Sequence, residues 1–329
     1  MKLLRPFTIT PGNLTSNIAQ DDAPEYSAAA TYAVGDVVMS TTGAAPTYRK
    51  YESLAAGNVG KSLGDASKWL DLGPVNRWAM FDTKNGTATI GSGNIEVAVQ
   101  IDGRADGLSL FGLDATSVRV QVAVDPALAP TPDLGATLAM DFTTGTPSLT
   151  VTTPDLLTTV YDQTYNLQSD SGITSWYEWF SEEIVYKTDL VLTDLPLYTN
   201  PSIRAQITST TGAVSCGTMA LGQTRNIGGT VYGAKGGIQD YSRKETDEFG
   251  NYTLVERAYA KRTSYRVVCE NTQIDAIFNA LADVRATPAV WLGTDDYAMT
   301  WAFGWARDWA VEITFPTKSY ISIEIEGLT

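Results

Sequence analysis

The stretch Ser117-Val118-Arg119-Val120-Gln121-Val122-Ala123-Val124 decides the fold class. Valine takes every second position and Arg, Gln and Ala fill the gaps. That period of two buries one face of a strand and leaves the other in water. Valine is also β-branched and stiff at χ1, which suits it to a pleated surface. The same alternation recurs in Glu96-Val97-Ala98-Val99-Gln100-Ile101, and again near the C-terminus, where Ile321, Ile323 and Ile325 alternate with Ser322, Glu324 and Glu326. Turn signals fall at roughly ten-residue spacing, the rhythm of a sandwich or jelly roll. The fold class expected is mainly β: two β-sandwich or jelly-roll-like domains, a small β module, and one helix in the C-terminal domain.

Composition narrows the function. The chain has 329 residues, which at roughly 100–200 residues per domain suggests two or three domains. It carries 23 Lys and Arg against 37 Asp and Glu, a net charge of −14, and no histidine. Without histidine there is no Ser-His-Asp or Cys-His nucleophile system, no His-ligated metal and no ordinary neutral-pH general base. The acid surplus argues against nucleic acid, whose binding needs Lys and Arg to displace counterions. It does little for an anionic membrane. No run reaches the roughly 18 apolar residues of a membrane span. Residues 1–7 (MKLLRPF) open like a signal peptide, but Arg5 and Pro6 cut the apolar stretch short, so the chain is expected to be made in the cytoplasm without export. Two cysteines, Cys216 and Cys269, are too few for a disulfide scaffold or a Cys-rich metal site; they read as two buried thiols, with one bridge between them as the alternative. No cofactor, metal or catalytic residue is expected.

Four segments follow along the chain. Residues 1–24 lack periodicity and are rich in turn residues; they read as an extended docking arm that needs a partner surface to be ordered. Residues 25–73 form a small module with strands around Val37-Val38, Tyr48 to Tyr51 and Lys68-Trp69-Leu70. Residues 74–200 form a β-sandwich or jelly-roll domain, with a hairpin signal at Asn85-Gly86. Residues 201–329 form a second β-rich domain. Within it, 239–266 holds 11 charged residues and reads as a solvated hairpin with Gly250-Asn251 near its tip. Its arms carry Tyr252, Leu254, Tyr259 and Tyr265. Ile274, Ile277, Phe278, Leu281 and Val284 then recur at helical spacing, predicting a helix over about 272–286 with Thr272 as N-cap. The surplus acid is expected to be spread over the surface.

Candidate chemistry is sparse. The segment Asp82-Thr83-Lys84-Asn85-Gly86 lacks the further acids of a calcium loop. Asp295-Asp296 and Glu182-Glu183 are adjacent acids, and neighbours on a strand face opposite ways, so adjacency does not make an acid/base pair. A polysaccharide hydrolase built on Asp295 or Glu182 is the weakest of three functional readings. The glycines from Gly228 to Gly237 lack P-loop spacing around Lys235. Aromatics are more informative. In a strand, Trp301, Phe303, Trp305 and Trp309 share parity and face one way, as a core face or a subunit interface. Trp176 and Trp179 pose the same choice.

Three segments together resemble a family of tail-associated structural proteins of tailed bacteriophages and prophages. They are Arg5-Pro6-Phe7 with residues 21–27, the long run from Lys68-Trp69-Leu70 through Gly73-Pro74-Val75-Asn76-Arg77-Trp78 to Asp82, and the C-terminal 320–328 preceded by Trp305-Ala306-Arg307-Asp308-Trp309. Residues 31–70 are similar to a small chitin-binding type of carbohydrate module, through Tyr32, Gly35-Asp36, Val38, Tyr48 or Tyr51, and Trp69. Such modules usually present exposed aromatics after the central Tyr, whereas Glu52-Ser53-Leu54-Ala55 stands here, which favours a spacer or docking unit. The resemblance implies a virion protein of the distal tail or baseplate, assembled in the host cytoplasm. Its implied partners are other tail and baseplate proteins and copies of itself, as a trimer or hexamer. The alternative is an adhesin that grips host cell-surface glycans through Tyr32, Tyr48, Tyr51 and Trp69.

Overall fold

The computed structural model describes residues 1–41, 47–83, 86–124, 140–141, 148–149, 158–169, 185–246, 249–257, 259–295 and 297–328. The protein is mainly β. A 14-stranded antiparallel sheet runs through both halves; its main path is Thr158–Asn166, Ser117–Val124, Ser202–Asn226, Lys2–Pro6, Ala289–Leu292, Trp301–Glu312, Lys318–Gly327, Tyr259–Glu270 and Gly229–Thr230, and five further strands pair off that path. The alternating stretches fold as their pattern requires. Val118, Val120 and Val122 are buried in one core and Ile321, Ile323 and Ile325 in another, while Arg119 and Ser322 face out. Each such side chain removed from water contributes roughly 1.5–3 kcal/mol.

Ser202–Asn226 joins the halves. Its first part lies between Ser117–Val124 and Thr89–Gln100. The register shifts between Thr208 and Ala213, where Gly212 takes a φ of 97° that a side chain would oppose. Beyond the shift the strand acquires new neighbours, Gly107–Asp114 and then Lys2–Pro6. Ile203 through Leu221 pack in the first core, with Val97, Val99 and Leu110. The second core starts at Ile227 and gathers Val267, Trp291 and the three isoleucines under a helix. The boundary expected at 200/201 therefore precedes a strand that the two cores share.

The surface that orders residues 1–24 is the chain's own, which corrects the expectation of an arm awaiting a neighbour. Lys2–Pro6 pairs with Gly222 to Asn226 on one edge and with Val290 to Leu292 on the other. Leu3 enters the second core. Leu4 enters a third cluster, with Phe111, Val290, Leu292 and Phe303, that fills the space between the halves. Leu14–Ser16 pairs with Val97 to Val99, and Ile18 is buried in the first core. A strand buried on both faces carries apolar residues side by side, so no alternation announces it.

The small module holds a three-stranded sheet, Val37–Ser40, Arg49–Ser53 and Trp69–Pro74, over a core of Val38, Tyr51, Leu63 and Trp69. The C-terminal helix is shorter than its periodicity suggests. A 3-10 turn occupies Asn271–Gln273 and the α-helix runs Ile274–Asp283, burying Ile277, Ala280 and Leu281. Thr272 lies inside the turn, and no side chain caps the helix. Asn271 instead ties the turn down, its amide donating to the Phe315 carbonyl at 2.8 Å and its Oδ1 accepting from Ser319 Oγ at 2.6 Å.

If the N-terminal strand joins the cores, Leu4→Ala should cost about 2–5 kcal/mol, the range for emptying a buried leucine site. Gly222→Val should be at least as damaging, because a Cβ there would sit 1.9 Å from the Arg5 carbonyl oxygen. Arg5→Ala, at an exposed position, should stay within about 0.5 kcal/mol. Urea denaturation midpoints read all three, and an unchanged midpoint for Leu4→Ala would refute the assignment.

Candidate functional site

The four residues expected to form a glycan surface do not form one. Trp69 and Tyr51 are only 2% and 3% exposed. Trp69 meets Tyr32 edge-on with ring centroids 5.3 Å apart, and Tyr26 edge-on at 5.7 Å. The polar tips are satisfied internally. Trp69 Nε1 donates to the Lys61 carbonyl at 3.3 Å and Tyr26 Oη donates to the same oxygen at 2.7 Å. Tyr32 Oη accepts from the Ser27 amide at 2.8 Å. Burial also pushes the Tyr51 phenol upward, with Asp71 adding to it. Tyr48 stands apart, at a φ of 63°, with its ring 4.6 Å from Trp78. A sugar needs an open ring face to stack on, and this cluster spends its faces on one another.

The run from Trp69 to Asp82 proves to be a joint. Trp69–Pro74 is the last strand of the small module, and Val75 is buried immediately after it. Asn76 opens a one-turn helix, Asn76–Ala79, and clamps the backbone of Ile90 through both side-chain atoms. Its Nδ2 donates to the Ile90 carbonyl at 2.7 Å, and its Oδ1 accepts the Ile90 amide at 2.8 Å. Asp22 accepts the Asn76 amide at 2.6 Å and pairs with Lys50 of the module at 3.3 Å. Arg77 Nε donates to the Ile18 carbonyl at 2.5 Å. Met80 is fully buried, and its carbonyl accepts the Met219 amide at 2.8 Å. Module, N-terminal segment and first core thus meet within a few residues.

The C-terminal tryptophans part company. A register irregularity between Ala306 and Asp308 breaks the parity of Trp301–Glu312. Before it, Trp301 and Phe303 face the cluster between the halves; after it, Trp309 packs on the second core. Trp309 meets Phe278 edge-on at 4.9 Å, which leaves Phe278 half-exposed beside the helix's buried face. Trp305 is half-buried. The single face expected of 301, 303, 305 and 309 is therefore corrected by one bulge. Trp176 and Trp179 lie outside the described residues, as do Glu182, Glu183 and Asp296. Asp295 is held by Lys2 at 3.1 Å. Among the described residues, no three Cys, Asp or Glu side chains gather where they could hold a metal ion, and no helix is long and apolar enough to cross a membrane.

The charged hairpin is exposed along nearly its whole length. Lys235–Asp240 pairs with Tyr259 to Ser264, and beyond it Arg243–Thr246 pairs with Tyr252–Val255. Asp240 links the two pieces by accepting the Ser242 amide at 2.8 Å, and hydrogen bonding from Ser242 lowers its carboxyl pKa. Gly250 turns the tip at a φ of 84°. Ile238, Tyr252 and Leu254 are 66%, 63% and 69% exposed, and Phe249 is exposed near the tip. A two-stranded ribbon is marginal in water by itself. One that displays apolar side chains in this way is suited to a protein partner. Tyr252 and Leu254 are arm residues by sequence; Ile238 lies one residue outside the 239–266 bounds of the charged stretch, directly after the glycines, where no alternation marks a strand.

The sequence matches no protein-family model, and no curated protein is significantly similar to it.

Two predictions follow from the buried groups. Trp69→Ala should remove about 3–5 kcal/mol from the small module and open residues 25–73 to limited proteolysis. An intact module after that change would show the indole to be peripheral. Cys216 and Cys269 are free and buried. Desolvation pushes the Cys216 thiol and the Tyr265 phenol up to about 12, against ordinary values of 9.0 and 10.0. The unfolded chain therefore ionises first. The stability gained by keeping both groups neutral is full below about pH 9 and is lost as pH rises from there toward 12. Urea midpoints should fall across that window, and Cys216→Ala should flatten the decline.

Proposed function

We propose that this chain is a non-enzymatic structural component of a bacteriophage tail. It sits at the distal tail or baseplate and links the tail tube or hub to receptor-binding fibres. The observation that carries an assembly role is the exposed ribbon, whose Ile238, Tyr252 and Leu254 turn roughly two-thirds of their surface to solvent. The phage-tail setting comes from the resemblance of three segments, the longest of which is the joint around Asn76. The small module supports use as a spacer: its aromatics hold its own core, and its last strand runs directly into the joint. Symmetric assembly as a trimer or hexamer fits a tail built on those symmetries.

The test is mass spectrometry of purified virions, together with electron microscopy of particles made without this gene. The protein should be present in a copy number divisible by three, and its loss should leave tails without a complete distal end. Complete, infective tails that lack the protein would exclude this reading.

A further inference from the structure

We infer that a cavity between the N-terminal strand and the C-terminal helix binds a small organic anion, whose carboxylate or phosphate lies between Arg5 and Arg225. The inference stands on that cavity and does not depend on the tail reading.

Arg5-Pro6-Phe7 is one of the segments that carry the family resemblance, yet packing accounts only for its neighbours, since Arg5 is exposed. All three residues line a cavity of about 540 Å³, a size usual for small-molecule sites. Its other walls are residues 223–225 of Ser202–Asn226 and the last turn of helix Ile274–Asp283, and every lining residue is among the described ones. The ladder puts two arginines on one face. Leu3 pairs with Arg225, and Arg5 with Gln223. Positions two apart on a strand share a face, and Leu3 marks this one as the face that packs in the second core. Arg5 and Arg225 are thus diagonal cross-strand neighbours, about 7–8 Å apart at the backbone. Two guanidiniums at that spacing repel unless an anion lies between them. Among the described residues neither forms an ion pair with a carboxylate, although acids outnumber bases by 37 to 23.

The surroundings set the chemistry of the ligand. Arg225 is held on one side, its Nη2 donating to the Ala276 carbonyl at 3.0 Å. Arg5 keeps its fork of donors for a ligand, and that planar fork matches the paired oxygens of a carboxylate or phosphate. Leu3, Phe7 and Val284 give the cavity an apolar wall, so the anion should carry an apolar body. Asp283 lines the same cavity and opposes an entering anion. It also stands in the last turn of its helix, where negative charge is unfavourable. Its neutralisation should therefore strengthen binding at no cost to the helix.

Isothermal titration calorimetry of the full chain tests this, with phenyl phosphate and benzoate as probes and inorganic phosphate and acetate as their counterparts without a ring. At least one aromatic anion should bind, and more tightly than its counterpart. The better of the two tells phosphate from carboxylate recognition. Arg5→Ala and Arg225→Ala should each weaken binding about tenfold, the worth of a charge-assisted contact. Arg5 is exposed, so Arg5→Ala should leave the thermal melting curve unchanged. Asp283→Asn should strengthen binding about threefold, a gain that no loss of folding can imitate. Lys235→Ala, at an exposed cation outside the cavity, should change nothing. No heat from either aromatic anion at about 10 mM, or equal binding of the ringless counterparts, would overturn the inference. So would full affinity in Arg5→Ala, unchanged or weaker binding in Asp283→Asn, or a loss in Lys235→Ala as large as that in Arg5→Ala, the mark of diffuse attraction to surface charge.

Discussion

Five residues at the N-terminus hold the two halves of the molecule together. Lys2–Pro6 forms ladders on both edges, to Gly222 through Asn226 and to Val290 through Leu292, and its adjacent leucines enter different clusters. Strand, ladder and packing depend on close approach. Gly107 leaves room for Leu4, since a Cβ there would come within 2.2 Å of its Cδ1. The N-terminal ammonium donates to the Gly228 carbonyl, and burial lowers its pKa. Lys2 reaches Thr193 Oγ1 at 2.8 Å, tying the loop after Leu190–Leu192 to the same strand. The two strands it pairs with lie more than two hundred residues downstream, so the ladders are long-range and carry a loop-closure cost. The cores are therefore coupled, and a perturbation of the strand reaches both.

How much of this the sequence discloses depends on the number of faces a strand buries. Val118 to Val124 and 320–326 bury one face, and their alternation gives the strand and its orientation directly. Lys2–Pro6 buries two. Leu3-Leu4 is then too short to read as a run and too uniform to read as alternation. The tryptophans fail for another reason: parity holds only while the register does, and the irregularity after Ala306 resets it. Trp69 was visible as an important residue but not as an interior one, because an indole that stacks on sugar and an indole that fills a four-residue core leave the same local pattern.

The joint around Asn76 shows why a particular sequence can be needed where no chemistry occurs. A carboxamide is the side chain that both donates and accepts with the geometry to pair a backbone segment as another strand would. At Asn76 it does so on Ile90, while Asp22 holds its amide from the other side. Aspartate or leucine in its place would leave a backbone group of Ile90 without its partner. The specificity of the segment is thus accounted for by three parts of the chain converging on one turn.

The ribbon inverts that logic. On the ribbon Lys244 lies 4.5 Å over the Tyr252 ring and Arg243 pairs with Glu245, so charge is interleaved with the exposed apolar groups. Interleaved charge keeps a free ribbon soluble and discourages ribbon-to-ribbon pairing, which edge strands otherwise invite. At the root, Lys261 pairs with Asp189, which stands just before Leu190–Leu192, so the ribbon is tied to the first half of the molecule by charge as well as by its ladder.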